Sequence, residues 1–351
     1  MLLYIHIPFC DSKCYYCAFN SYVDKFHLKQ EYMQKLLIQL KFEFSRFNIK
    51  NNSIETLFIG GGTPSTVAPK LYEPLFQLLN PYFKKDIEIT TEANPNSATQ
   101  EWLEGMFALG VNRVSFGVQS FNSEKLKKLN RAHNAKEAKT AIINAQKVGF
   151  KNISLDLIYA TQGDTKELLR KDIFEAFSLP INHISAYALT IEEGTVFEKK
   201  PTMSQEKLEL TKWLFSAIEE QGFTQYEISN FGQYQSKHNL GYWKYKEYIG
   251  LGSGAVGKLK NKRFYPTSSI EDYIQNPLEI KEETLSEEDI VTEKIFLGLR
   301  SLVGVDFKLL SLKQQEYANI LLSEGKLLQK EGKLFNENFL LADELALFIM
   351  Q

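Results

Sequence analysis

Cysteine is nearly absent from this chain of 351 residues: Cys10, Cys14 and Cys17 are its only three, and none follows them. An odd count confined to one short stretch cannot staple a fold with disulfides. Missing too is an excess of either charge, since 41 Lys plus Arg against 43 Asp plus Glu leave a formal net charge of -2. That balance argues against a surface built chiefly for nucleic acid or anionic lipid. No apolar run approaches the ~18–20 residues of a membrane helix. MLLYIHIPFC also lacks the ordered basic, apolar and small-residue regions of a signal peptide. We expect a cytoplasmic protein without a transmembrane segment, where reducing conditions keep thiols free as metal ligands. What is present is a large core, because 44% hydrophobic and 13% aromatic residues exceed what a disordered chain carries.

Short β-branched or apolar runs alternate with longer amphipathic ones. Strands are expected at 2–7, 55–60, 86–92, 111–117, 152–159 and 181–189, and helices at about 28–46, 69–80, 99–109, 135–149, 165–178 and 204–221. Connections of this length require parallel pairing through crossover helices. The fold class is therefore α/β, a partial (β/α)6 TIM-like barrel over residues 1–225 with its site at the C-terminal strand ends. Residues 226–284, rich in Tyr, Gly, Asn and Ser, read as an extended loop-and-strand segment at the barrel edge. Residues 285–351 read as a smaller helical domain that opens at Ser-Glu-Glu-Asp and ends in a β-hairpin turning at Gly332 or Asn336–Asn338. A winged-helix DNA reader is the competing reading of that last unit. Without a basic cluster, a packing and lid role is the expectation.

The thiols follow the first strand directly, in HIPFCDSKCYYCAFN, spaced C-x3-C-x2-C. Pro8 stops the strand, so a loop gathers the three sulfurs. Soft thiolates select zinc or an iron–sulfur cluster. Zinc would call for a fourth ligand, and the one nearby nitrogen, His6, lies inside the strand, where a hydrogen-bonding core role is more usual. A cubane normally takes four cysteines. Three would leave one iron open at the mouth of the barrel, where a substrate or cofactor can bind.

With Tyr16 ahead of the last cysteine, this motif resembles that of the radical S-adenosylmethionine (SAM) superfamily. The resemblance implies a [4Fe-4S] cluster on Cys10, Cys14 and Cys17, with SAM chelating the open iron through its amino and carboxylate groups. An electron from a donor such as flavodoxin or ferredoxin would then cleave SAM to methionine and a 5′-deoxyadenosyl radical. Further expectations fall at successive strand ends. Gly61, Gly62 and Thr63 of GGGTPS would approach the SAM amino group, and Glu92 of TTEANP a ribose or ammonium. Gln119 of SFGVQS lies near the same mouth. Arg131 of LNRAHN would pair with the SAM carboxylate through its planar fork, and Asp156 is an acidic residue that an apolar strand tolerates only with a polar partner. Tyr4, Tyr16 and Ala188 complete the candidate SAM contacts, with Tyr187-Ala188 at the end of the sixth strand expected to flank the adenine.

YIHIPFC, GGGTPS, TTEANP, SFGVQSF, LNRAH and DLIY together resemble the anaerobic coproporphyrinogen III oxidase family, over about 300 residues that include GLR at 298–300. Two branches of that family differ at readable places. The oxidase branch would carry a fourth cysteine, where this chain has Phe19, and an N-terminal extension, whereas nine residues precede Cys10. KHNLGYW at 237–243 instead resembles the HNxxYW motif of the heme chaperone HemW branch. That likeness implies heme binding at His238, Tyr242 and Trp243, and delivery of heme to a respiratory acceptor protein. An imidazole suits heme iron, and flat aromatic faces suit the macrocycle. Oxygen-independent coproporphyrinogen oxidation and a zinc-loop binding module are the alternatives. One departure concerns the family's DLIYGLPxQ, here DLIYATQGD at 156–164, which lacks the Gly-Leu-Pro of that loop.

Overall fold

The structure, a computed structural model, describes residues 1–351. Its first part alternates strand and helix: β1 (Leu2–Ile7), α1 (Lys29–Arg46), β2 (Ile54–Gly61), α2 (Pro69–Leu79), β3 (Phe83–Ala93), α3 (Gln100–Ala108), β4 (Arg113–Gln119), α4 (Ser123–Lys128), α5 (Ala135–Val148), β5 (Asn152–Tyr159), α6 (Lys166–Phe177), β6 (His183–Ala188) and α7 (Leu208–Glu219). Strands β1 to β6 pair in sequence order and all in parallel. Alternation along each strand sorts the residues by face. Leu3, Ile5 and Ile7 pack with α1 residues Tyr32, Leu36 and Leu40 in a core of 52 buried residues. The intervening Tyr4 and His6 lie on the face opposite the helices.

The sheet is open, in keeping with a partial barrel of six strand–helix units that does not close. The segment after α7 supplies β7 (Thr224–Gln225), β8 (Asn230–Gly232), α8 (Lys237–Trp243), β9 (Tyr248–Leu251), β10 (Gly257–Leu259), β11 (Lys262–Pro266), α9 (Ile270–Gln275) and β12 (Ile280–Thr284). These strands extend one 12-stranded sheet at both edges, in the order β12-β11-β10-β9-β1-β2-β3-β4-β5-β6-β8-β7. β9 runs parallel to β1, while β8 lies antiparallel to β6. Edge strands thus occupy the flanks that two further strand–helix units would have had to close.

The last part comprises α10 (Glu287–Leu299), β13 (Val305–Asp306), α11 (Leu312–Ser323), β14 (Leu328–Lys330), β15 (Lys333–Phe335) and α12 (Ala342–Ile349). Ser286 and Asp289 form the capping box that starts α10. The hairpin turns at Glu331-Gly332, and α12 follows it, so the chain ends in a helix and not in the hairpin. A second apolar cluster, of 12 buried residues, joins α10, α11 and α12.

The junction of β9 with β10 leaves no room for a side chain at Gly250, where a Cβ would lie 2.2 Å from the Val256 carbonyl oxygen. Gly250→Ala is expected to lower stability by about 1–3 kcal/mol, the usual cost of overpacking against an atom that cannot yield. Urea unfolding measures it, and an unchanged midpoint would contradict this packing.

Candidate functional site

The cysteine loop leaves β1 at Pro8 and returns beside it. Tyr22 N–H donates to the Pro8 carbonyl at 2.7 Å and Cys10 N–H to the Tyr22 carbonyl at 3.0 Å, which pins the loop's base. Lys13 Nζ donates inside it to the Phe19 carbonyl at 2.6 Å and to Ser21 Oγ at 2.8 Å. Cys10, Cys14 and Cys17 all border one cavity at the C-terminal ends of β1 to β6. No three His, Cys, Asp or Glu side chains close on a single-ion position. The thiols stand around a shared space. Burial pushes the Cys10 and Cys17 thiols up from their ordinary pKa, and Cys10 Sγ lies 3.3 Å from Thr63 Oγ1.

Most of the residues singled out from the sequence meet here: Tyr16, Gly61, Gly62, Thr63, Glu92, Gln119, Arg131 and Asp156 line the same cavity. Gly61 adopts φ of +113°, and a Cβ there would lie 2.5 Å from the His6 ring. At Gly62 a Cβ would come within 2.8 Å of the Phe9 carbonyl and 3.0 Å of Cys10 Sγ, so bare backbone is what lets the two loops touch. Gly61 N–H donates to Glu92 Oε2 at 3.1 Å. Burial pushes the Glu92 carboxyl up to about 7, and the negative charge of Asp156 adds to the shift. Asp156, also raised by burial, accepts from Ser115 Oγ at 3.3 Å. Gln119, itself at φ +67°, accepts from the Tyr187 hydroxyl at 2.8 Å. Arg131 Nη2 donates to Asn94 Oδ1 at 2.7 Å and Nη1 contacts Cys14 Sγ at 3.2 Å, while its buried Nε has no partner.

Two expected contacts fall elsewhere. Tyr4 sits one pleat below the mouth, where its side chain lines a second cavity and its hydroxyl bonds His6 Nδ1 at 2.9 Å. Of the expected pair Tyr187-Ala188, Tyr187 lines the cavity while the Ala188 side chain faces the main core, as alternation along β6 requires. Asn94 is a wall residue that sequence reasoning passed over, although its place two residues after Glu92 is a signal. The loop departing from the family pattern has its own support: Asp164 accepts from Thr161 N–H at 2.9 Å and pairs with buried Lys125 at 2.8 Å.

The second cavity, ≈ 760 Å³, lies between the sheet, α8 and α10. KHNLGYW forms helix α8 and not the expected loop, so His238 and Tyr242, four residues apart, share the face toward this cavity. Glu88 on β3 accepts from the backbone N–H groups of Lys237 at 2.8 Å and His238 at 2.9 Å and from the Tyr234 hydroxyl at 2.6 Å. His238 Nδ1 lies 2.7 Å from Thr56 Oγ1, and Nε2 lies 3.0 Å from the Tyr242 hydroxyl. Burial, aided by the charge of Arg113, pushes the imidazole down to about 3, so it is neutral at physiological pH. Trp243 is not part of the cavity wall, and its indole N–H is buried without a partner.

A three-cysteine loop at the C-terminal edge of six parallel strands, with glycine backbone and an unpaired guanidinium N–H around one cavity, is the arrangement of a radical SAM protein, and residues 4–175 match the Radical SAM superfamily model. Heme chaperone HemW from Bacillus subtilis is 36% identical over 87% of this chain and 84% of that protein. Heme chaperone HemW from Escherichia coli is 38% identical over 73% and 70% respectively. The chain belongs to the heme chaperone HemW family. Among solved structures, coproporphyrinogen III oxidase (HemN) from Escherichia coli shares the fold at a TM-score of 0.84, with 20% identity over 99% of this chain and 89% of that one.

The raised pKa of Glu92 means that folding holds a proton there between the ordinary carboxylate range and about pH 7. Apoprotein stability therefore falls as pH rises through that window. Glu92→Gln removes the dependence. Urea unfolding should find the variant more stable than the parent at pH 8 by about 1–2 kcal/mol, a value reduced because cavity water reaches the carboxyl, and equal to it near pH 5. Equal stability at both pH values would refute the assignment.

Proposed function

We propose that this protein is a heme chaperone: it binds heme in the large cavity, carries a [4Fe-4S] cluster and SAM at the strand ends, and hands heme to an acceptor protein of respiration. The observation that carries the reading is the pair His238 and Tyr242 on one face of α8, at the wall of an aromatic cavity of ≈ 760 Å³. The names of the relatives agree with it. A neutral imidazole is the form that ligates iron, and an iron at Nε2 would replace its contact with the Tyr242 hydroxyl. Tyr4, Phe58 and Tyr248 offer apolar faces for a macrocycle.

At the strand ends, the donor set fits the cofactors. Three thiols border one space, and the chain has no fourth. The orphaned Arg131 Nε suits a carboxylate, and Glu92 with Asp156 suits an ammonium, the two charged groups of the methionine portion of SAM. Bound there, cluster and SAM would supply one-electron reducing chemistry, with electrons from a flavodoxin or ferredoxin. The chain's own part is to orient SAM through Gly61, Thr63 and Arg131 and to keep water from the cysteine loop. In this reading residues 1–225 hold the cluster and SAM, 226–284 the heme ligand, and 285–351 a wall of the heme cavity. No helix is long and apolar enough to cross a membrane, and the reading assigns the protein to the cytoplasm.

Anaerobic reconstitution should give about four iron and four acid-labile sulfide per chain, and each of Cys10→Ala, Cys14→Ala and Cys17→Ala should lower both. Bound zinc without iron would favour the zinc-loop module instead.

Heme titration of the same sample should saturate at one per chain, with no conversion of coproporphyrinogen III to protoporphyrinogen IX. His238→Ala should move the Soret band and weaken binding by at least the ~10-fold that loss of a supporting group costs a metal site. Turnover of coproporphyrinogen would establish the oxidase reading, and an unchanged affinity would remove His238 as ligand.

A further inference from the structure

The large cavity has four cations in its wall, and three of them are already neutralised. Lys246 pairs with Glu55, Arg263 with Glu293, and Arg300 with Asp343 through two hydrogen bonds of 2.6 and 2.8 Å. Lys258, on β10, is different. It is 4% exposed, yet no carboxylate lies within ion-pair distance. Its Nζ reaches only the Tyr245 carbonyl, at 3.4 Å, and stands 3.7 Å from the centre of the Tyr245 ring.

Lysine is almost never buried unless paired. The nearby carboxylate of Glu293 cannot serve, because Arg263 and the Tyr245 hydroxyl already occupy both of its oxygens. Burial lowers the Lys258 ammonium from its ordinary pKa, which a bound anion would offset. The rest of the wall is mainly aromatic. A ligand fitting both features has a flat apolar body and an acidic edge.

We propose that Lys258 is the anchor for a propionate of the macrocycle, and so fixes the ring's acidic edge toward β10. This rests on the heme reading of the cavity and adds to it a residue that selects for the free acid. The ammonium donates to the carboxylate, a charge-assisted hydrogen bond in a site mostly removed from water. His238, in contrast, contributes only when iron is present.

That difference sets the experiment. The full-length chain is titrated with metal-free protoporphyrin IX and with its dimethyl ester, followed by quenching of the intrinsic fluorescence. Lys258→Met should bind the free acid about ten- to a hundredfold more weakly, the loss expected for one hydrogen bond to a charged group, and bind the ester as the wild type does. Lys258→Arg should recover most of the affinity for the acid. Equal acid affinity in Lys258→Met, or equal losses for acid and ester, would overturn the Lys258 assignment while leaving the cavity a porphyrin site. Failure of the wild type to bind either porphyrin would overturn the cavity reading and this one with it. Should Lys258→Met not fold, the wild type's preference for acid over ester decides: a ratio near one overturns the proposal.

Discussion

The inner face of the sheet buries far more polarity than a parallel sheet usually does, and the surrounding structure exists largely to satisfy it. Parallel strands covered on both sides tend to be apolar throughout. Here Thr56, Glu88, Thr90, Arg113, Ser154 and His183 are all buried. Arg113 has no carboxylate within ion-pair distance, shares itself between Thr90 Oγ1 and His183 Nδ1 at 3.5 and 3.4 Å, and keeps an unpartnered Nε. Unpaired polar groups in such a place cost several kcal/mol. The segment following α7 offsets part of that cost: Tyr226 hydroxyl lies 2.7 Å from His183 Nε2, and Glu88 takes three donors from Tyr234 and the start of α8. Helix α8 is therefore docked by the sheet's own polar residues. Its histidine is held where it is because Glu88 and Thr56 are there.

The same alternation links the two cavities. Tyr4 and His6 are successive inner-face residues of β1. Tyr4 lines the large cavity, while His6, bonded to Tyr4 through Nδ1, holds the Asn20 carbonyl of the cysteine loop through Nε2 at 2.7 Å and lies against Gly61. One hydrogen-bonded pair thus touches the wall of one site and the frame of the other. Asn20 of the cysteine loop is thus joined to Tyr4 by two successive hydrogen bonds.

How much could be read from the chain follows from how far each signal reaches. Strands 2–7 and 152–159 coincide with β1 and β5 because their alternation and their stops, Pro8 and the turn at Ala160, are local. The cavity residues Glu92, Gln119, Arg131 and Asp156 were legible as polar interruptions at strand ends. The side-chain directions of Tyr4 and Ala188 follow from pleat alternation, which motif position does not carry. The extension of the sheet beyond β1 was not legible, since β9 to β12 are short and the pairing of β9 with β1 joins residues as far apart as Leu2 and Tyr248. Nor was α8: Asn239, Gly241, Tyr242 and Trp243 are poor helix formers, and the helix depends on the Ser236 cap and on Glu88, about 150 residues upstream.

Helix α10 joins the last part of the chain to the site by using both of its faces. Ile295 and Leu299 belong to the small apolar cluster with α11 and α12, while Glu293, Phe296 and Arg300 form cavity wall. Arg300 extends the connection through its two hydrogen bonds to Asp343 on α12. Widening the cavity on this side therefore means moving α10, and α10 cannot move alone without exposing Ile295 and Leu299. Each would forfeit about 1.5–3 kcal/mol of burial on exposure. Displacement of the whole last part keeps that cluster intact but breaks the backbone bonds from Ile228 N–H to the Arg300 carbonyl at 2.9 Å and from Leu302 N–H to the Tyr226 carbonyl at 3.0 Å. The cavity wall on this side is therefore fixed at two places along α10: Arg263 and the Tyr245 hydroxyl hold Glu293 at its middle, and the backbone of residues 226–228 holds Arg300 to Leu302 just past its end.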